Sequence, residues 1–294
     1  ISGTTDTAFA HANGSTVALL NDWYYDNDAK GAVRVPEDAS YGSAVLDLGG
    51  HEISYYMFNA AVQLGEYAST AKDGISRTLT ISNGTISSKG IVGGAACAFV
   101  GGSDKTLILN GVTMRTMSDT RFGIVTNGET RNNTITLTNS VVEAPNSTGI
   151  YFPGDGTLTV TDSRITGNFS GIEIRGGELN VSGDKTEITA TCSEFKFTNN
   201  TSGTTTDGAA IAAVKHGVGN DLTVNITGGT MQGVKALYQA DPNADKAGSV
   251  TMSVTGGTFR GEVTAETTTK FISGGTFSTA PAAAYLADGC TAKD

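Results

Sequence analysis

The sequence predicts an all-β chain wound as one single-stranded right-handed parallel β-helix, a β-solenoid with capped ends. Three observations predict it: a nine-residue apolar pattern recurs in nine copies, one phase of that pattern is always Gly, Asn or Asp, and the step from that phase to a further recurring strand is too short for a crossover helix.

The pattern carries an apolar residue at its second, fourth and ninth places and a turn-former at its sixth. It reads VLDLGGHEI (45–53), TLTISNGTI (78–86), TLILNGVTM (106–114), TITLTNSVV (134–142) and TLTVTDSRI (157–165). It continues as ELNVSGDKTEI (178–188, two residues longer), TVNITGGTM (223–231), TMSVTGGTF (251–259) and TKFISGGTF (269–277). In this alignment Leu46 and Leu48 take the second and fourth places of the first copy, and Lys270 breaks the second place of the last. Alternation over the first four places is a strand with one buried face. The sixth place reads Gly50, Asn83, Gly111, Asn139, Asp162, Gly183, Gly228, Gly256 and Gly274. These residue types accept positive φ most readily, so each strand is expected to end in a left-handed corner.

Successive sixth places are 33, 28, 28, 23, 21, 45, 28 and 18 residues apart, one solenoid coil each in most cases. The 45-residue gap is read as an extra coil around FKFTNN (195–200) or a long loop. A further strand recurs as Gly90-Ile91, Gly123-Ile124, Gly149-Ile150, Gly171-Ile172 and Gly233-Val234. Residues 1–44 are expected to form an entry cap and first coil, 45–277 the coils, and 278–294 the exit cap, all in one domain. GSTVALLND (14–22) reads as strand and turn. APAAAYLADG (280–289) reads as a short helix with Pro281 at its first position and Gly289 at its stop.

Gly makes up 39 of 294 residues and Pro only 5, which excludes collagen and Pro-rich disorder. The net charge is −10, which argues against nucleic acid or anionic lipid as a partner. The charge is read as solubility, with a calcium-binding patch as the alternative and no other cofactor expected. The three cysteines, Cys97, Cys192 and Cys290, form no C-x-x-C pair. No apolar run is long enough to span a membrane. The chain begins at Ile1, which is read as a mature or trimmed form.

STVALLND (15–22), AVLDLGGHEIS (44–54) and TLTISNGTI (78–86) together resemble the opening of right-handed β-helix proteins of the pectate-lyase-like superfamily found on bacterial surfaces. ISGGTFSTAPAAAYLADGCTAKD (272–294) is similar to a segment frequent in surface proteins of Gram-positive gut bacteria, with Ala280, Ala282 and Cys290 departing from its usual residues. The resemblance implies a β-helix, an extracellular or bacterial cell-surface location and an adhesin-like role, with this chain one module of a longer exported protein. It implies no activity.

Inverting pectin hydrolases of that superfamily carry N-T-D, D-D, G-H-G and R-I-K motifs, none of which occurs here. The histidines His11, His51 and His216 lie in unrelated contexts, and His51 sits in a turn of the repeat. Pectate lyases use a carboxylate cluster with an Arg or Lys base. The nearest arrangement is GIEIRGG (171–177), where period-two alternation points Ile172 and Ile174 inward and Glu173 and Arg175 outward. Asp155 and Asp162 lie one coil earlier, and Tyr151 is expected beside Glu173. The plainer reading of Glu173 and Arg175 is a solvated ion pair on a strand face. The cluster Trp23-Tyr24-Tyr25, followed by Tyr55, Tyr56, Phe58 and Tyr67, offers sugar-stacking rings or, more plainly, closes the core. Asp22, Asp26 and Asp28 flank it, but DWYYDND lacks the glycine and distal glutamate of a calcium loop. Outward threonine pairs at Thr78/Thr80, Thr134/Thr136 and Thr157/Thr159 are read as β-propensity and not as an ice-binding array, because Ile108 and Glu178 interrupt them.

The resulting expectation is a non-catalytic surface module, stalk or adhesin-like, binding a glycan or a host surface protein. The alternative is a polysaccharide lyase or hydrolase working in a lateral groove. The segments near 54–75, 115–133 and 189–221 are the expected recognition loops.

Overall fold

A computed structural model of the chain describes residues 5–26, 31–36, 38–66, 75–89, 96–117 and 122–293. Among these, 24 strands form one parallel sheet wound over three walls, with Arg77–Ser88, Lys105–Thr116, Thr230–Ala240 and Thr258–Ala265 each serving two walls, the architecture of a parallel β-helix. One rung consists of Asn133–Thr138, Val141–Ala144 and Ile150–Phe152, which build the first, second and third walls. Each wall pairs in register with the rungs before and after it.

The apolar pattern becomes three sets of columns. On the first wall Leu79, Leu107, Ile135, Leu158, Leu179, Val224 and Met252 stack inward, beside a second column of Ile81, Leu109, Leu137, Val160, Val181, Ile226 and Val254. The ninth-place column runs unbroken down the second wall from Ile53 through Ile86, Met114, Val142, Ile165, Ile188, Met231 and Phe259 to Phe277. Ile124, Ile150, Ile172, Ile211 and Leu237 stack on the third wall. Nearly all of these side chains are fully buried in one core, each worth about 1.5–3 kcal/mol of transfer free energy.

The structure corrects the phase of the first copy. Ala44 pairs with Leu79 and Leu46 with Ile81, so Ala44 and Leu46 hold the columns expected for Leu46 and Leu48. Two extra residues sit in the following corner, and the ladder is back in register at Glu52 and Ile53. The buried Leu48 fills that corner. Gly233-Val234 is not a third-wall pair either: Val234 is exposed at a break in register, and Leu237 takes the column. Gly90-Ile91 lies outside the described residues.

Left-handed corners occur at Gly50, Asn83, Gly111, Asn139, Asp162 and Gly183, as expected. In the last three copies, which read Gly-Gly-Thr, the positive φ falls one residue later, at Gly229, Gly257 and Gly275. Gly256 and Gly274 serve a different need, close stacking of backbone. A Cβ would lie 2.4 Å from the Thr227 carbonyl oxygen at the first and 2.3 Å from that of Thr255 at the second.

Both ends differ from expectation. Thr5–Ala12 is an α-helix, unforeseen in the sequence, that seats Phe9 against Tyr41 and the core. At the far end 280–289 forms only a three-residue 3-10 turn, Ala283–Tyr285, and Pro281 lies outside it. At that end Ile272 pairs in strand-like fashion with Leu286, and the Tyr285 hydroxyl donates to the Ala265 carbonyl and accepts from the Ala265 amide, which covers part of the last rung. The 45-residue gap holds no extra coil. Residues 191–208 leave the corner, form an antiparallel hairpin from Lys196–Phe197 and Thr206–Asp207, and return to the third wall.

The two roles of corner glycine predict different tolerance. Gly256→Ala should cost about 1–3 kcal/mol in urea denaturation, because carbonyl and Cβ cannot share the space. Gly50→Asn should cost under about 1 kcal/mol, because its Cβ meets open space and Asn tolerates the left-handed region. Equal costs would overturn the distinction.

Candidate functional site

The third wall has an outer column as well as an inner one. Phe99, Val125, Tyr151, Glu173, Ala212 and Tyr238 stand in register on the face turned away from the core, and all are buried. Over Glu173, Ala212 and Tyr238 the cover is the 191–208 excursion. Phe195 and Phe197 place their ring centroids 4.9 and 5.4 Å from that of Tyr238. The Ser170 hydroxyl donates to the Thr206 carbonyl, and the Gly217 amide to that of Thr201.

Beneath this cover lie Glu173 and Arg175, each 0% exposed. The sequence expectation of two outward, solvated side chains is therefore corrected. Alternation does turn them away from the core, but a later part of the chain closes over them. The Arg175 guanidinium donates to four carbonyls: Gly203 at 2.6 Å, Asn200 at 2.8 Å, Val214 at 3.1 Å and Lys215 at 3.3 Å. It ties the hairpin to the wall, with geometry suited to its planar fork. Glu173 Oε1 accepts from the Thr205 amide and hydroxyl, both at 2.8 Å, whereas Oε2 has no protein partner. Burial pushes the Glu173 carboxyl up to about 7, with the Thr205 hydrogen bonds and the Arg175 charge opposing. Tyr151 stands beside Glu173 in the ladder as expected, and burial pushes its hydroxyl up to about 12. His216 donates its amide to the Arg175 carbonyl, and its Nδ1 accepts from the Val218 amide. Burial, with the nearby Arg175 charge, lowers its ring to about 4.

The two aspartates go elsewhere. Asp162 sits in its corner with φ 48°, and its Oδ1 accepts from the Lys185 amide of the next rung. Asp155 lines an open groove of 460 Å³ on the first wall, with Glu178, Asp221, Asn132, Thr157 and Thr223. Asp221 accepts from the Ser249 amide and hydroxyl, which hold its carboxyl below the usual range. Glu178 accepts from the Asn225 side chain at 2.9 Å, and among the described residues the Asp155 carboxylate has no hydrogen-bond partner. No Lys or Arg lines this groove among the described residues. It continues a wall whose outward ladder is Thr78, Thr106, Thr134, Thr157, Glu178, Thr223 and Thr251, next to Thr80, Ile108, Thr136, Thr159, Asn180, Asn225 and Ser253. Among the described residues, no three His, Cys, Asp or Glu side chains are placed to share a metal ion.

The aromatic cluster divides. Tyr25 is buried and stacks on Tyr55, and Trp23 packs edge-on against Tyr25 at the margin of the core. Neither is the open platform that sugar stacking needs. Tyr24 is 58% exposed and stacks on Tyr56 at 4.4 Å, with Lys89 Nζ 5.8 Å from the far ring. Asp22 accepts from the Glu52 amide. Asp28 and Tyr67 lie outside the described residues.

Sequence reasoning missed two buried lysines at the corner after the third wall. Lys105 Nζ donates to the Ser103 and Ile75 carbonyls at 2.6 and 2.7 Å. Lys215 pairs with Asp241 at 3.0 Å and donates to the Gly248 and Lys246 carbonyls. With Arg175, they satisfy corner carbonyls from inside. Their signal was faint: a charged residue directly at or after a strand end, next to glycine-containing loops.

No family model, curated protein or solved structure matches this chain.

Glu173 and His216 predict opposite pH dependences. A neutral Glu173 keeps its proton in the folded state up to about 7, while the unfolded carboxyl loses it near 4.5, so its contribution to stability falls as pH rises across that window. His216 stays neutral when folded down to about 4 but takes a proton near 6.5 when unfolded, so its contribution falls as pH drops through that range. Glu173→Gln should remove the first slope. Relative to wild type, the variant should gain about 3 kcal/mol between pH 4 and pH 8 in urea denaturation. A difference independent of pH would show that Glu173 is ionised in the folded protein.

Proposed function

We propose that the chain is a non-catalytic extracellular module of the bacterial cell surface, a stiff β-helical rod that binds glycans along its first wall. The observation that carries this reading is the first-wall groove: Asp155, Glu178 and Asp221 with Asn132, Thr157 and Thr223 form a shallow polar surface of fixed spacing. Hydroxyl, amide and carboxylate groups on a rigid ladder match the hydroxyl groups of a sugar chain, and little ordering entropy is lost on binding. Glu173 and Arg175 are engaged in holding the 191–208 segment, which leaves them closed to a polymer. The resemblance to surface β-helix proteins supports the location and the adhesin-like role. A host surface protein is the competing partner class for the same wall.

A second reading, a glycoside hydrolase, draws on the same groove, because Asp155 and Glu178 are two carboxylates on one face and inverting chemistry requires such a pair. A lyase is less favoured, since among the described residues no Lys or Arg lines the groove to serve as base.

A glycan and polyuronate array read for both retention and product release separates the readings. The surface-module reading expects retention without turnover, weakened at least tenfold by a Glu178→Gln, Asp155→Asn double variant. Turnover abolished by that variant would establish the hydrolase, and no retention on any glycan would remove glycan binding.

A further inference from the structure

The 191–208 excursion has little to hold it together by itself. Its ladder is two residue pairs long, Lys196 with Asp207 and Phe197 with Thr206, and the Thr198 amide donates to the Thr205 carbonyl beyond them. A two-stranded hairpin of that length is not stable alone in water. The body of the β-helix fixes it instead. At its base the Cys192 amide donates to the Asn168 carbonyl and the Gly208 amide to the Phe169 carbonyl, and Gly208 turns with φ 81°. Between those points the holds are Glu173, Arg175, the Ser170 hydroxyl, the Gly217 amide and the packing of Phe195 and Phe197 on Tyr238. Its far side, 198–203, is exposed.

Among these holds Glu173 is the one side chain that gains or loses charge near neutral pH. Arg175 stays charged throughout. Glu173 Oε1 takes both Thr205 bonds, and Oε2 has no partner among the described residues. A neutral acid tolerates that enclosure, whereas a carboxylate there is a buried charge with half of its acceptor capacity unmet. The groups around it are Arg175 on its own strand, Tyr151 on the preceding rung, Ala212 on the following one, and Thr205 and Thr206 of the hairpin. Arg175 opposes the burial but is shared among four carbonyls. The hairpin's Glu194 and Lys196 are exposed, with Asp207 opposite Lys196. Lys215, past the end of the following rung, pairs with Asp241. The His216 ring rests on Gly128, where a Cβ would lie 2.7 Å from its Cε1, and its Nδ1 takes the Val218 amide. Neither contact belongs to the hairpin, so the His216 proton is not tied to hairpin opening.

We propose that residues 191–208 form a lid that opens locally from the third wall as Glu173 loses its proton, while the β-helix beneath stays folded. In the closed state burial holds the Glu173 carboxyl up at about 7, and in the open state water restores the ordinary value of 4.5. Between those two values the open state binds fewer protons than the closed one. Closure is therefore firmest below about pH 4.5 and weakens as pH rises to about 7. Opening uncovers Ala212, Val214 and Tyr238 and frees the Phe195 and Phe197 rings that cover them. The third wall thus presents a sealed polar surface in acid and an apolar strip at neutral to alkaline pH. Local opening of this kind draws on few buried contacts and leaves the ladder intact. The inference is independent of glycan binding, which concerns the first wall.

The test is amide hydrogen exchange of the full chain, followed residue by residue by NMR and expressed as protection factors, which cancel the intrinsic pH dependence of exchange. The Thr198, Thr205 and Gly217 amides report the lid, since each is bonded within it or to it. The Ile135 and Leu137 amides report the body, in a strand paired on both sides. From about pH 5.5 to about pH 8.5 the lid amides of the wild type should lose protection at least tenfold, while those of Ile135 and Leu137 stay constant. In Glu173→Gln, which accepts from Thr205 but cannot ionise, lid protection should be the same at both pH values. Lid protection independent of pH in the wild type would overturn the proposal, and that arm stands without the variant. A loss shared equally by Ile135 and Leu137 would overturn it too, by tying Glu173 to global unfolding alone. So would a loss that persists in Glu173→Gln.

Discussion

The constraint on which this structure depends is in-register parallel pairing of main chain from one rung to the next. Pairing Ile135 with Leu107 on one side and Leu158 on the other fixes more than those three residues. It decides that every inward position faces its equivalent one strand spacing away, so a mismatch in size or polarity repeats its cost against two neighbours. Uniform columns of Leu, Ile and Val follow, as does the demand for one corner conformation at one phase. The same pairing stacks hydroxyls at the corners: the Ser140 amide donates to Ser163 Oγ, and the Ser163 amide to Thr186 Oγ1. Polar residues thus continue the ladder where the chain bends and strand pairing lapses.

Much of this was legible in the sequence because a column is a periodicity. The ninth-place residues from Ile53 to Phe277 could be written down in advance, as could six of the nine left-handed corners. Two things were not legible, for physical reasons. A Gly-Gly pair offers two sites for positive φ, and only the approach of the neighbouring carbonyl, as of Thr227 to Gly256, decides which one bends. Alternation also reports which way a side chain turns from the core but not what else in the chain comes to lie over it. Glu173 and Arg175 were placed on the outer side of their strand correctly and exposed wrongly. The clue was the 45-residue gap, whose excess length is the hairpin that covers them.

That hairpin makes the third wall unlike the other two. The first wall is a polar surface of threonine, asparagine and serine. The third carries a second, smaller apolar layer of Ala212, Val214, Tyr238 and Ala240 under Phe195 and Phe197. A carboxyl enclosed beside it is cheaper neutral than charged, which is why Glu173 holds its proton at a pH where a surface carboxyl has lost it. The guanidinium of Arg175 remains charged in the same enclosure because four carbonyl dipoles replace its water.

The corner after Leu46 has a consequence for how such a chain changes over generations. Two surplus residues are absorbed between Asp47 and Glu52, and the reading frame of the ladder is restored within the same bend, with Glu52 opposite Thr85. Residues 191–208 show the same recovery after a much longer detour, with Ala209 opposite Ser170. Each rung therefore resets the count for the next. Length errors stay confined to the bend in which they arise, and the outer surface can be rewritten by insertion and deletion while the inherited core keeps its alignment.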